Sequence, residues 1–295
     1  MGTLDATAGE LAAIDDGRAF ARPEGWRILQ VTGSDAEAWL HDLVTTDVAS
    51  LGSGQARRSF LLTPTGRIRA DFMVGSDPGG FWLLQRGDQP SAMIDLLSIY
   101  VLSSDVALTD ESGGYSVWTL IGRAAEHFDG PGLRPSLLGP GRDLLVPRGG
   151  DEPPWAASGP PEGMTQVTVA ALEHQRILRG DPRMGVDFEE GALPAEIGLD
   201  DAIDATKGCF LGQESVAKIR NLGHPPSCLR HRRAEGFVPP AAPVYFAGSE
   251  VGLVTSATTD ADEATVAIIR VSWASRDASL TTADGVRLEP VHPRD

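Results

Sequence analysis

Lys207-Gly208-Cys209-Phe210-Leu211-Gly212-Gln213-Glu214 holds one of the two cysteines in a chain of 295 residues. Gly208 and Gly212 leave the backbone around Cys209 with little side-chain cover, which favours an exposed thiol. Lys207 adds a positive charge two residues before it. From Gln213 to Lys218 the chain reads as the first turns of a helix, with Glu214 and Lys218 paired at i,i+4. The positive end of that helix and the lysine both act to lower the thiol pKa. A free cysteine is otherwise among the most buried residue types, so packing is the alternative role.

Upstream, residues 26–31 read as a strand, and Ser34 with Glu37 forms a capping box that opens a helix. Ala36, Trp39, Leu40, Leu43 and Val44 recur at helical spacing and make one apolar face, which is core. Arg58 to Leu62 and Arg67 to Val74 flank Thr63-Pro64-Thr65-Gly66 and read as a hairpin, with Phe81 to Gln85 as a third strand. A second amphipathic helix is expected over Ser91 to Val101, with Met93, Leu96, Leu97, Tyr100 and Val101 on one side. Strands with helices laid over them make an α+β fold. Residues 129–163 are crowded with Gly and Pro around a short strand at Asp143 to Val146, and read as loops at a module edge. A helix follows from about Val169 to Leu178. Pro225-Pro226 breaks the helix after Glu214. Beyond Cys228, five or six short strands separated by turns suit a small barrel or sandwich.

The octapeptide resembles the signature of the YgfZ family of folate-binding proteins, in which Lys-Gly-Cys is followed by an aromatic, a variable residue and Gly-Gln-Glu. Three further patches resemble the wider aminomethyltransferase superfamily: Val31-Thr32-Gly33-Ser34-Asp35-Ala36, Leu43-Val44-Thr45-Thr46-Asp47-Val48, and Leu62-Thr63-Pro64-Thr65-Gly66-Arg67 running on to Asp71. So does Arg176-Ile177-Leu178-Arg179-Gly180. The resemblance implies a folate-binding region over 1–229, subdivided near 110 and 165, and a C-terminal barrel over 230–295. It implies tetrahydrofolate or a one-carbon derivative as cofactor, and iron-sulfur proteins or their assembly factors as partners, with an indirect link to tRNA modification.

Cys209 and Asp71 are the implied catalytic residues. Asp71 matches the superfamily's folate-activating aspartate, a carboxylate suited to accept a proton or hydrogen bond. Trp26 matches an aromatic position associated with folate in YgfZ-like proteins, where its flat face would suit stacking on a pterin or aminobenzoyl ring, with a core indole as its alternative. Arg176 pairs with a folate carboxylate or sits on a helix surface. Lys207, Gln213 and Glu214 complete the implied cofactor set. No resident metal is expected, although Cys209 suits transient iron-sulfur ligation. The chain departs from the aminomethyltransferases at Leu138-Gly139-Pro140-Gly141-Arg142-Asp143, where those enzymes carry a pterin-holding glutamate, and at Leu178, where they carry another acid. Aminomethyl transfer or demethylation with Asp71 as base is therefore the second reading. A ligand-free interaction module is the third.

A formal charge of −16 opposes a sequence-independent grip on nucleic acid. The charge is uneven: Ser215 to Ala234 lacks Asp and Glu but holds Lys218, Arg220, Arg230, Arg232 and Arg233 with His224 and His231. That island is either a solvated face or an anion site suited to a folate polyglutamate tail. No apolar run approaches the roughly 18 residues of a membrane span. Asp5, Glu10, Asp15 and Asp16 are the reverse of a signal or transit peptide, so a cytoplasmic location is expected. Two cysteines make neither a disulfide framework nor a structural zinc site.

Overall fold

Strand β4 (Ile68–Asp77) shows how the first part of the chain is layered. Its side chains alternate, and both faces are covered: Ala70, Phe72 and Val74 enter one core cluster, while Met73 enters another. That two-sided burial leaves the strand buried along most of its length, Asp71 included. A computed structural model describes residues 6–122, 132–138, 141–149 and 163–291. The chain divides into two compact units that exchange segments: Met1–Thr63, Arg69–Leu172 and Asp201–Leu211 form the first, and Pro64–Ile68, Glu173–Asp200 and Gly212–Asp295 the second.

In the first unit, β4 lies in a five-stranded sheet of order β3-β4-β5-β2-β6, with β3 Ala56–Leu62, β5 Gly80–Arg86, β2 Trp26–Thr32 and β6 Ala107–Asp110. Helices α2 (Ala36–Leu43) and α3 (Met93–Ser98) cover one face, burying Trp39, Leu40, Leu43 and Leu97 with Phe72 and Leu83. The other face packs Ile28, Met73 and Leu84 against Val117, Leu133 and Leu145 of a second sheet. That sheet has the order β10-β1-β7-β9-β8, with β10 Thr165–Gln166, β1 Ala19–Ala21, β7 Tyr115–Ile121, β9 Gly141–Pro147 and β8 Gly132–Leu133. Helix α1 (Ala8–Asp15) is opened by a capping box between Thr7 and Glu10. Helix α4 spans Val169–Leu178.

The expected hairpin, third strand and helix faces are present, but the capping box at Ser34 is not. Asp35 is the N-cap of α2 and its side chain makes no capping bond. Ser34 Oγ instead donates to Asp105 Oδ2 at 2.8 Å, and Asp35 Oδ2 accepts from Asp105 N–H at 2.8 Å. A tertiary tie to the 105 loop has displaced the local one. Gly33 makes this approach possible: a Cβ there would lie 2.1 Å from Asp105 O. The second helix is also shorter than its apolar pattern, because the Ser91 carbonyl accepts from Arg27 and Gln85 and so stays outside it.

In the second unit, six strands close a barrel in the order β11-β14-β13-β12-β15-β16. They are β11 Ser227–Ala234, β12 Pro243–Phe246, β13 Ser249–Thr259, β14 Thr265–Ser272, β15 Leu280–Thr282 and β16 Arg287–Pro290. The pair Arg232↔Pro290 closes the ring. Cys228, Val254, Ile269, Val271 and Leu288 fill its interior. The barrel begins at Ser227, three residues before the boundary read at 230. Helices α5 (Pro194–Ile197) and α6 (Gln213–Leu222) also belong to this unit. Among the described residues no helix is long and apolar enough to cross a membrane.

Candidate functional site

The cysteine segment is strapped to the end of α2. Lys207 Nζ donates to the backbone carbonyls of His41, Val44 (2.7 Å) and Thr46 (2.9 Å). These groups lie at and just beyond the helix C-terminus, where carbonyls lack partners and a positive charge is favoured. Leu211 N–H donates to Asp42 O at 3.0 Å, and Asp204 Oδ1 caps the turn by accepting from Thr206 and Lys207 N–H. Cys209 sits between the two anchors and is exposed. Phe210 is buried, with Lys207 Nζ 5.4 Å from its ring centroid. Burial pushes the Lys207 ammonium down to about 8, against the opposing pull of Asp47, Asp42 and Asp204. Its charge is directed into α2, so it serves as a clasp on the thiol loop.

His41 was not singled out from the sequence. Its Nδ1 lies 3.3 Å from Asp47 Oδ1, and its Nε2 lies 3.8 Å from where a Cβ on Gly208 would stand. An imidazole with a carboxylate behind it thus borders the segment that presents the thiol. The only local signal was a titratable residue in the last turn of an otherwise apolar-faced helix.

Asp71 and Trp26 share one face of the first sheet. Trp26 pairs with Arg86 across β2 and β5, and Phe72 pairs with Gln85 across β4 and β5. Asp71, next to Phe72 and pointing the other way, is therefore in the row of Arg86 and Trp26. Asp71 is 3% exposed. It accepts a two-pronged ion pair from Arg58, with Nε to Oδ1 at 2.8 Å and Nη2 to Oδ2 at 2.6 Å. Gln89 brackets its backbone by accepting from Asp71 N–H and donating to Asp71 O. Both oxygens that a general base would offer are held by Arg58. Trp26 is half-buried, and its Nε1 is a buried donor without a partner. It lines a cleft of about 210 Å³ with Glu24, Arg86, Asp88 and Val169. Pockets enclosing a drug-sized ligand run to roughly 300–1,000 Å³, so this cleft is smaller than a pocket that encloses a whole ligand of that size.

Arg176 is in the second unit and lies neither on a helix surface nor open to a ligand. It is 5% exposed, and its donors are engaged by Glu173 (3.0 and 2.7 Å), Asp187 (2.7 Å), the Asp181 carbonyl and Ser256 Oγ (2.8 Å). Burial lowers its pKa, but the bond to Glu173 and the charges of Asp187 and Glu173 more than offset this. Asp187 also accepts from Thr255 Oγ1 and Ser256 Oγ, because a bulge in β13 between Val254 and Ser256 breaks the ladder register there.

Gln213 and Glu214 open α6 behind Gly212, whose φ is +84°. Glu214 and Lys218 are both exposed and do not form the expected ion pair. The basic island is not one face. Arg233 pairs with Asp260 and Glu235, and Arg232 is buried against the carbonyls of His231 and Arg276. Lys218 and Arg220 stand exposed on α6.

Asp143 is a further residue that sequence reasoning passed over. It is fully buried on β9, where Thr119 Oγ1 and Ser136 Oγ each donate to Oδ1 at 2.7 Å and Leu137 N–H donates to Oδ2 at 3.2 Å. Burial pushes its carboxyl up to about 6 despite those bonds. Of the neighbouring stretch, 139–140 lies outside the described residues, as does most of the 129–163 loop region. Among the described residues no group of three or more His, Cys, Asp or Glu is placed to hold a metal ion.

No family model matches the chain. It is 24% identical over 263 residues to an aminomethyltransferase of Streptomyces avermitilis, covering 77% of this chain and 71% of that one. It is 26% identical over 237 residues to the mitochondrial iron-sulfur cluster assembly factor IBA57 homolog of Cryptococcus neoformans, covering 66% of this chain but 61% of that relative's length. It is 25% identical over 225 residues to the tRNA-modifying protein YgfZ of Photobacterium profundum, covering 70% and 67%. In fold it matches the glycine cleavage system aminomethyltransferase T from Bartonella henselae with a TM-score of 0.81 at 19% identity, over 96% of this chain and 88% of that one. With the two-sheet unit and the closed barrel, these likenesses support identification of the chain as a YgfZ-type relative of the aminomethyltransferase superfamily.

Proposed function

We propose that this protein is a folate-binding accessory factor that supports iron-sulfur enzymes, and through them tRNA modification, with Cys209 as its working thiol. The observation that carries this reading is the clasp: a lysine and a backbone bond are spent on holding an exposed cysteine between two fixed points. A structural cysteine would be buried, as Cys228 is. Trp26 and Arg86, which line one cleft, would hold a tetrahydrofolate ring and a carboxylate. The bound folate would supply one-carbon chemistry. Cys209 would act as a single transient ligand to a cluster held mainly by its client.

The Arg58 grip on Asp71 weighs against aminomethyl transfer, since a base there would first have to be released. Titration calorimetry with tetrahydrofolate and with its polyglutamate tests the ligand, and a Cys209→Ser chain in cells that depend on this protein tests the thiol. Folate binding retained and client activity lost is the expected pair of results. Absence of binding by either folate sinks the cofactor assignment and leaves the interaction module. Full rescue by the serine variant sinks the thiol.

A further inference from the structure

The second unit holds a cleft of about 180 Å³ between the segment from Asp187 to Ile197 and strands β11 and β14. Its apolar lining is Phe188, Ile197 and Leu229, all buried. Its four charged residues divide into two kinds. Asp187 is saturated by Arg176 and the β13 hydroxyls. Glu196 is saturated by Ser227 Oγ at 2.8 Å and Leu193 N–H at 2.7 Å. Arg270 and Glu189 are exposed, and neither side chain makes a hydrogen bond or ion pair among the described residues, with each other or with any other group. A cation and a carboxylate thus border one small apolar cavity without meeting.

We propose that this cleft binds a small zwitterion of the α-amino acid class with a medium-sized aliphatic or thioether side chain. The ligand carboxylate takes the Arg270 fork, its ammonium faces Glu189, and its side chain lies on Phe188, Ile197 and Leu229. A simple anion would meet the acids of the cleft and a simple cation would meet Arg270, so only a molecule carrying both charges satisfies the two unpaired groups together. None of its lining residues lines the Trp26 cleft, which separates this site from the proposed function above.

The test is calorimetry on the full chain with L-leucine and L-methionine as probes, and 4-methylpentanoate and 3-methylbutylamine as analogues lacking one charge each. Leucine and methionine are expected to bind at least ~10-fold more tightly than either analogue, and glycine more weakly than leucine for want of an apolar side chain. Arg270→Gln and Glu189→Gln should each weaken leucine binding about 5-fold or more, with melting temperature unchanged because both residues are exposed. Equal affinity for the single-charge analogues overturns the proposal, as does leucine binding that neither variant alters. So does the absence of amino acid binding at ~20 mM, where a Kd corresponds to only about 2 kcal/mol.

Discussion

Replacing Arg176 with leucine should unfold the second unit at markedly lower denaturant. The variant removes a guanidinium that is 5% exposed and leaves the Asp187 side chain, 0% exposed, without its counter-charge. Removing one partner of a buried pair costs about 3–5 kcal/mol. The lower end applies here, because Asp187 keeps Arg183 N–H, Thr255 Oγ1 and Ser256 Oγ. Glu173 is more exposed and retains Arg183, so its loss adds ~1 kcal/mol or less. The expected total is ~3–4 kcal/mol. Urea unfolding of the full chain followed by circular dichroism measures it, provided the slope of the transition is unchanged. Asp187→Asn in the same chain should recover part of the loss, since the two side chains share one network. A loss below ~1 kcal/mol, accompanied by weakened folate affinity, would refute this reasoning and return Arg176 to the ligand.

Three further outcomes are expected. Lys207→Met leaves the carbonyls after α2 without their donor, at a cost of about 1–3 kcal/mol, and hydrogen exchange at the Leu211 amide should speed up by ~10-fold or more if the clasp governs that loop. Asp143 takes up protons on folding between its ordinary value of 3.8 and about 6, so its contribution to stability falls as pH rises through that window and is level above it. Asp143→Asn abolishes this, and melts from pH 4 to 8 should show the variant gaining on the native chain by ~2–3 kcal/mol up to pH 6 and no further; a constant difference would mean the carboxyl stays ionised. Finally, iodoacetamide near neutral pH should modify Cys209 before Cys228, whose thiol is 1% exposed and pushed up by burial; peptide mapping in which Cys228 reacts first would contradict the placement of both.

What could be read in the sequence was what depends on neighbours along the chain. The α2 face of Trp39, Leu40 and Leu43, the strand pair around Thr63-Pro64-Thr65-Gly66, the start of α6 and the barrel all follow from period and turn chemistry, and the octapeptide marked the exposed thiol. The misses share a different cause. Ser34 has a suitable Glu37 three residues on, yet its hydroxyl goes to Asp105, 71 residues away. Arg176 looked available because its partners Asp187 and Ser256 are 11 and 80 residues distant. Lys207 was read through its nearness to Cys209 along the backbone, whereas its ammonium turns to carbonyls more than 160 residues upstream. Asp143 was passed over as the first residue of an apolar strand, since its two hydroxyl partners come from Thr119 and Ser136. A polar side chain reveals its type locally, but its partner is chosen by the folded topology.

The clasp also sets an order of events on the ribosome. Val44 O and its donor Lys207 are separated by 163 residues, so at ~5–20 residues per second the end of α2 waits roughly 10–30 s for its lysine. By the end of that interval the strands of both sheets in the first unit have been made but its last segment has not, and parts of the second unit have been made in between. The thiol and the group that steadies it arrive within three residues of each other. A nascent chain arrested before residue 207 therefore exposes an unfinished helix end but never an unsupported Cys209.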